Sequence, residues 1–121
     1  MRENVLLDKS KALALRIIRM YKYLCEEKKE FVLSKQVLRS GTSVGANARE
    51  ANRSQSAKEF VAKMNIALKE ADETLYWLEL LHESDYIDNE AFNSIYADTE
   101  EVLKFLVAII KTTNSKNHST F

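Results

Sequence analysis

Lys35, Arg39, Arg49 and Arg53 recur with Thr42 and Ala46 at spacings of four and three, so a helix through them lines four cations along one stripe. Short side chains between the cations leave the stripe open. Such a row suits contact with phosphates, because each phosphate neutralised by Lys or Arg releases condensed counterions. A preceding helix can add Lys11, Arg16, Arg19 and Lys22 from its own exposed face. No aromatic residue interleaves with the stripe, so it does not by itself indicate base stacking. The same pattern also fits a solvated face paired with carboxylates of other helices or other subunits, and spacing alone leaves both readings open.

Other constellations carry less. Glu79-Leu80-Leu81-His82 supplies one Glu-x-x-His, whereas a di-iron bundle needs that motif on two helices and glutamates from two more. The other histidine, His118, falls in the C-terminal segment, so no metal site is expected; Glu79 is read as solvent-facing and His82 as a cap at its helix end. No serine or cysteine stands with a histidine and an acid in a readable nucleophile motif. Gly41 and Gly45 lack the strand and following lysine of a phosphate-cradling loop. Glu70 and Glu73 read as surface or salt-bridge residues. No enzyme, cofactor or small-molecule substrate is expected.

Composition sets the frame that must position these residues. The 121 residues include no proline, two glycines, 45% hydrophobic and 30% charged residues, which fits one all-α domain and opposes disorder or a disulfide scaffold. Cys25, the single cysteine, reads as a small reduced core residue. The N-terminal residues reach Asp8 and Lys9 before any long apolar run, and Phe105 to Ile110 is the longest such run. Neither a secretory signal nor a membrane span is expected, and a cytoplasmic protein of bacterial type fits best. Eighteen basic and eighteen acidic residues cancel in total. Residues 1–53 nevertheless carry +6 and residues 54–121 carry −6, a dipolar chain suited to a charged partner or to self-association.

Apolar periodicity predicts four helices in an antiparallel up-and-down bundle over residues 1–113, with 114–121 as a flexible tail. Helix one spans about Asn4 to Glu27, with Leu6, Leu13, Ile17, Met20 and Leu24 on one seam and Leu7, Ala14, Ile18, Tyr21 and Cys25 on the next. Helix two is expected from Ser34 as N-cap to about Arg53. Its seam of Val37, Gly41, Val44, Ala48 and Ala51 is dominated by small residues. Each mid-helix glycine costs about 1 kcal/mol relative to alanine, so Gly41 and Gly45, one turn apart, predict a close helix–helix approach. Helix three opens with the capping box Ser56-Ala57-Lys58-Glu59 and runs to Glu83 or Ser84, its core seam being Val61, Met64, Leu68, Ala71, Leu75 and Leu78. Helix four follows Asp88 as N-cap, with Phe92, Ile95, Thr99, Val102, Leu106 and Ile109 inward. Ile66, Tyr76, Trp77 and Leu80 lie away from helix three's core seam, which predicts a homo-oligomer with these residues in its interface.

Gln36-Val37-Leu38-Arg39-Ser40, Thr42-Ser43-Val44-Gly45-Ala46-Asn47 and Glu50-Ala51 are followed in order by Glu59-Phe60, Lys63-Met64, Ile66-Ala67-Leu68-Lys69-Glu70-Ala71, Glu73-Thr74 and Tyr76-Trp77-Leu78. This pattern resembles the bacterial four-helix-bundle family also called the 23S rRNA intervening-sequence or S23 protein family. The match is close over helices two and three and in outline elsewhere. What the resemblance implies is an up-and-down protomer assembled as a ring-shaped homopentamer, encoded in some bacteria within insertions in 23S rRNA genes. Membership does not imply a ribosomal component. A related branch, the accessory variability protein of diversity-generating retroelements, binds nucleic acid and a reverse transcriptase through a basic surface. Carried onto this chain, that makes Arg39 and Arg49 candidate contacts, with Lys35 and Arg53 added from the stripe. That branch is strongly basic, whereas this chain has a pI of about 6.7, which confines any such binding to one face. The leading expectation is a non-enzymatic oligomer binding RNA or a reverse-transcriptase-type nucleoprotein through helices one and two, Arg16 and Arg19 included. The alternative is a protein-only oligomeric scaffold whose basic faces are consumed by acidic ones.

Overall fold

A computed structural model of the chain describes residues 2–118, with side chains from 5 to 116. Four helices account for almost all of it: α1 (Arg2–Glu26), α2 (Leu33–Asn52), α3 (Ala57–Glu83) and α4 (Asn89–His118). Three caps set the later starts. Ser56 accepts from the Glu59 amide at 3.1 Å, while the Glu59 carboxylate accepts from Gln55 at 3.3 Å, one residue outside the expected reciprocal partner. Asp88 caps α4 by accepting from Ala91 at 2.8 Å.

The cap of α2 differs from expectation. Ser34 lies inside the helix and is buried, and its hydroxyl donates back to the Glu30 carbonyl at 2.8 Å. The capping group is the Glu30 carboxylate, which accepts from the amides of Val32 at 3.1 Å, Leu33 at 3.0 Å and Ser34 at 2.7 Å. A side chain long enough to reach forward from the loop thus satisfies three donors that the first helical turn leaves free. At the other end of the chain the helix outlasts its apolar face. Residues 114–118 of the expected tail are helical, since α4 runs to His118, and residues 119–121 lie outside the described residues. Just before them the Thr113 hydroxyl bonds the Ile109 carbonyl at 2.9 Å, which helps a polar last turn to continue.

Side-chain partners fix the packing order. Ser10 and Ile17 meet Gly45 and Gly41, Arg39 and Lys63 meet Glu73 and Glu50, Glu79 and His82 meet Tyr96 and Asn89, and Lys9 and Arg16 meet Glu101 and Asp98. In every pair residue numbers rise on one helix as they fall on the other, so each helix runs antiparallel to its neighbours in a closed ring. The pair α1 and α4 is the least closely packed. The core is filled by the anticipated seams, including Leu6, Leu13, Ile17 and Leu24 of α1, Met64, Ala71 and Leu78 of α3, and Ile95, Val102 and Leu106 of α4. Ala67, Thr74 and Leu81 are buried as well, so the inward side of α3 is rotated toward them, and Val61, Leu68 and Leu75 are only half-buried. Buried hydroxyls are used locally. Thr74 Oγ1 lies 2.8 Å from the Glu70 carbonyl and 2.8 Å from the Ser40 hydroxyl, tying α3 to α2.

The small seam of α2 has a specific occupant opposite it. A methyl group at Gly41 would stand 2.9 Å from Ile17 Cγ1 and 3.0 Å from Cγ2, inside contact distance of a fully buried branched side chain. At Gly45 it would stand 3.2 Å from the Ser10 hydroxyl and 3.5 Å from the Ser10 carbonyl carbon, a tighter fit than usual but no overlap.

Two predictions follow from the caps and the seam. Gly41→Ala should destabilise by about 1–2 kcal/mol, overpacking outweighing the gain in helix propensity, whereas Gly45→Ala should be near neutral. Urea midpoints of the two variants check this, and equal shifts would refute the close-approach account. For Glu30, burial alone would push the carboxyl up, but the amides of Leu33, Ser34 and Val32 outweigh it and hold the group below its ordinary range. A depressed folded-state value stabilises above the unfolded carboxylate value of about 4.3 and loses that contribution as pH falls through the folded value. Glu30→Gln should therefore cost about 1 kcal/mol at neutral pH and progressively less below about pH 4. Denaturation of both proteins at the two pH values tests this, and a pH-independent gap would contradict it.

Candidate nucleic-acid interface

Every cation of the α2 stripe is exposed, but the stripe does not act as one unit. At its upper end the Arg39 guanidinium reaches sideways to Gln36, to Glu70 at 3.2 Å and to Glu73 on α3. Glu73 also accepts from the Trp77 indole at 2.9 Å. Arg39 is thus a strut between α2 and α3, with its charge matched inside the protomer. At the lower end, Arg49 faces a groove of about 440 Å³ between α1 and α2. Lys11 and Arg49 flank it, and Ser10, Ala14, Gly45 and Ala46 are small enough to keep it open. Glu50 also lines the groove, but its carboxylate pairs with Lys63 of α3 at 3.0 Å.

The cations of α1 are divided between two flanks. Lys11 turns toward α2, while Arg16 bonds Asp98 of α4 at 2.7 Å, and Lys9 bonds Glu101 at 2.9 Å. Helix one therefore does not simply widen the α2 stripe. Of the six expected contacts, Arg16 and Arg39 are engaged with carboxylates, and among the described residues Lys35, Arg49, Arg53 and Arg19 make no ion pair. Arg19 and Arg16 instead line a second cleft, about 430 Å³, between α1 and the start of α4, together with Met20, Tyr23, Ile87 and Ile95. Tyr23 escaped the reading of the sequence because it belongs to neither core seam of α1. The available signal was its position one turn beyond Arg19.

The four residues expected at an oligomer interface are unequal. Ile66 and Tyr76 are 42% and 53% exposed, whereas Trp77 and Leu80 are half-buried and Trp77 packs on the core. Tyr76 and Trp77 rings are 5.2 Å apart and tilted, and Tyr76 is the more exposed of the two. The four small packing residues divide similarly, with Gly41, Ala48 and Ala51 buried and Gly45 half-buried on the groove.

Glu79 does not face open solvent. It is half-buried and accepts from the Tyr96 hydroxyl at 2.9 Å; burial first, then the Glu79, Glu100 and Asp72 carboxylates, push that phenol up to about 12. His82 stacks on Phe92 with centroids 4.1 Å apart, and its Nε2 lies 2.6 Å from Asn89 Oδ1. These two groups clamp α3 to α4. Among the described residues no three metal-ligating side chains are gathered, and no helix is long and apolar enough to cross a membrane.

Residues 2–108 match the model of the family described as 23S rRNA-intervening sequence protein. A similar solved structure is a crystal structure, at 1.70 Å resolution, of a protein of unknown function from the S23 ribosomal protein family of Bacteroides thetaiotaomicron VPI-5482. The two are 57% identical, superpose with a TM-score of 0.91, and the match covers 92% of this chain and 99% of the other. Among curated proteins nothing matches. With the motifs of α2 and α3, the four-helix ring and a family match over nearly the whole bundle in agreement, the chain belongs to the 23S rRNA-intervening sequence protein family.

Proposed function

We propose that this protein is a non-catalytic homo-oligomer that binds RNA through the basic face of α1 and α2. The observation that carries the reading is the α1–α2 groove, where Lys11 and Arg49 flank a floor of small side chains. Among the described residues neither has an ion-pair partner, and Lys35 and Arg53 extend the positive surface along α2. A phosphate backbone could approach closely there, because Gly45 and Ala46 present almost no side chain. The residues on which a catalytic reading would rest, Glu79 and His82, are bonded to Tyr96 and Asn89. For self-assembly the supporting feature is the outer side of α3, where exposed Ile66 and Tyr76 continue into half-buried Trp77 and Leu80. A ring of five is the arrangement that the family resemblance implies.

A protein-only scaffold is the second reading. It is favoured by the outer face of α4, where Glu90 and Glu100 are exposed and could meet the basic face of another copy.

The family description names an intervening sequence of 23S rRNA, which makes rRNA-derived stem-loops a natural first probe. Titration at several salt concentrations should give a linear log–log fall in affinity. The slope should flatten by about 1 for each of Lys11→Ala and Arg49→Ala, and stay unchanged for Arg39→Ala, whose effect should be a small loss of stability. No binding at low salt would discard the RNA reading in favour of the scaffold. Light scattering at micromolar concentration should report an oligomer that Ile66→Asp with Tyr76→Asp breaks down; a wild-type monomer would refute the assembly.

A further inference from the structure

The cleft between α1 and α4 has a different construction from the α1–α2 groove. Its floor is apolar, made by Met20 with the buried side chains Ile87 and Ile95. One wall is the Tyr23 ring, 43% exposed, and Arg19 stands at the mouth without an ion pair among the described residues. Lys28 places its ammonium 6.0 Å from the centroid of the same ring. Opposite, Asp88 uses Oδ1 to cap α4, and its second oxygen is in no hydrogen bond among the described residues.

Resting on the RNA reading above, we propose that this cleft receives one unpaired base of a bound RNA, stacked on Tyr23 with its phosphate held by Arg19. Three features select that occupant together. The aromatic wall and apolar floor select a planar group with a dry face, Arg19 at the mouth selects an anion beside it, and Asp88 offers an acceptor to an exocyclic amine or ribose hydroxyl. A volume of about 430 Å³ lies within the range of small-molecule sites and exceeds what a side chain alone would fill. Double-stranded RNA does not fit, because its bases are stacked within the helix and cannot reach the ring. The opening exists because α1 and α4 are the least closely packed neighbours, so a flat group can enter beside Met20 without displacing the core. The α1–α2 groove would then hold backbone, and the α1–α4 cleft would hold a base.

The test compares a short unstructured RNA with a duplex of equal length, by fluorescence anisotropy, on wild type and three variants. Tyr23→Ala should weaken binding of the unpaired RNA about 10-fold or more and leave duplex binding unchanged. Tyr23→Phe, which keeps the stacking face, should bind like wild type, and Arg19→Ala should lower the salt slope for the unpaired RNA by about 1. Wild-type affinity for unpaired RNA in Tyr23→Ala overturns the proposal while leaving the RNA reading intact. Equal losses for both RNAs, accompanied by a lowered melting temperature, overturn it in favour of a structural role for Tyr23. Failure of the wild type to bind either RNA removes both readings together.

Discussion

Ile17 occupies the space that a methyl group on residue 41 would need, and the separation of α1 from α2 is governed by that contact. Hydrogen in place of carbon at Gly41 lets the two backbones approach until the branched side chain itself becomes the spacer. Much else depends on this distance. Ser10 comes to rest against Gly45, Cys25 comes within 3.8 Å of Ser34, and Glu30 can double back from the loop onto the first turn of α2. The open groove beside Lys11 and Arg49 is the outer margin of the same contact. Its floor is shallow because the residues that permit close packing inside are continued by small residues outside.

Charge is then distributed by which acids the fold brings within reach. On α4, Asp98 and Glu101 meet Arg16 and Lys9; on α3, Glu70 and Glu73 meet Arg39. These exposed or partly exposed pairs contribute little to stability individually, about 0–1 kcal/mol, but they remove particular cations from the surface available to an anionic partner. The lower half of the α1–α2 face escapes, because Glu50 is drawn toward Lys63. A chain with no net charge can in this way keep a local positive field.

The fold was largely legible because its signals are periodic and local. The small seam of α2, the Ser56 and Asp88 caps and the inward row of α4 all follow from spacing and residue type, and each is found in place. The misses share a cause in reach and lean, which a helical wheel does not contain. Ser34 has the right chemistry for a cap, yet Glu30 performs the task because the loop turns its longer side chain back over three amides. Trp77 and Tyr76 are neighbours in sequence, but the bond from the indole to Glu73 holds Trp77 toward the bundle. Arg39 and Arg49 look equivalent in the stripe until their neighbours on α3 and α1 separate them. The cleft around Tyr23 combines α1 with residues more than sixty positions away, so the local pattern of Tyr23 one turn beyond Arg19 carries one wall of it and not the other.

Among the described residues the two with positive φ, Lys29 and Asp85, carry side chains, while neither glycine has a positive φ. At Asp85 the turn is closed by Tyr86 bonding the Leu81 carbonyl at 2.9 Å and Asp85 bonding the His82 carbonyl at 3.1 Å, the left-handed helix ending usually given to glycine. Glycine therefore serves distance between helices here and leaves direction at the loops to hydrogen bonding. The geometry of the bundle is consequently separable: the loops can be tightened or relaxed at residues 29 and 85 without altering the spacing of α1 and α2, because the two properties reside in different residues.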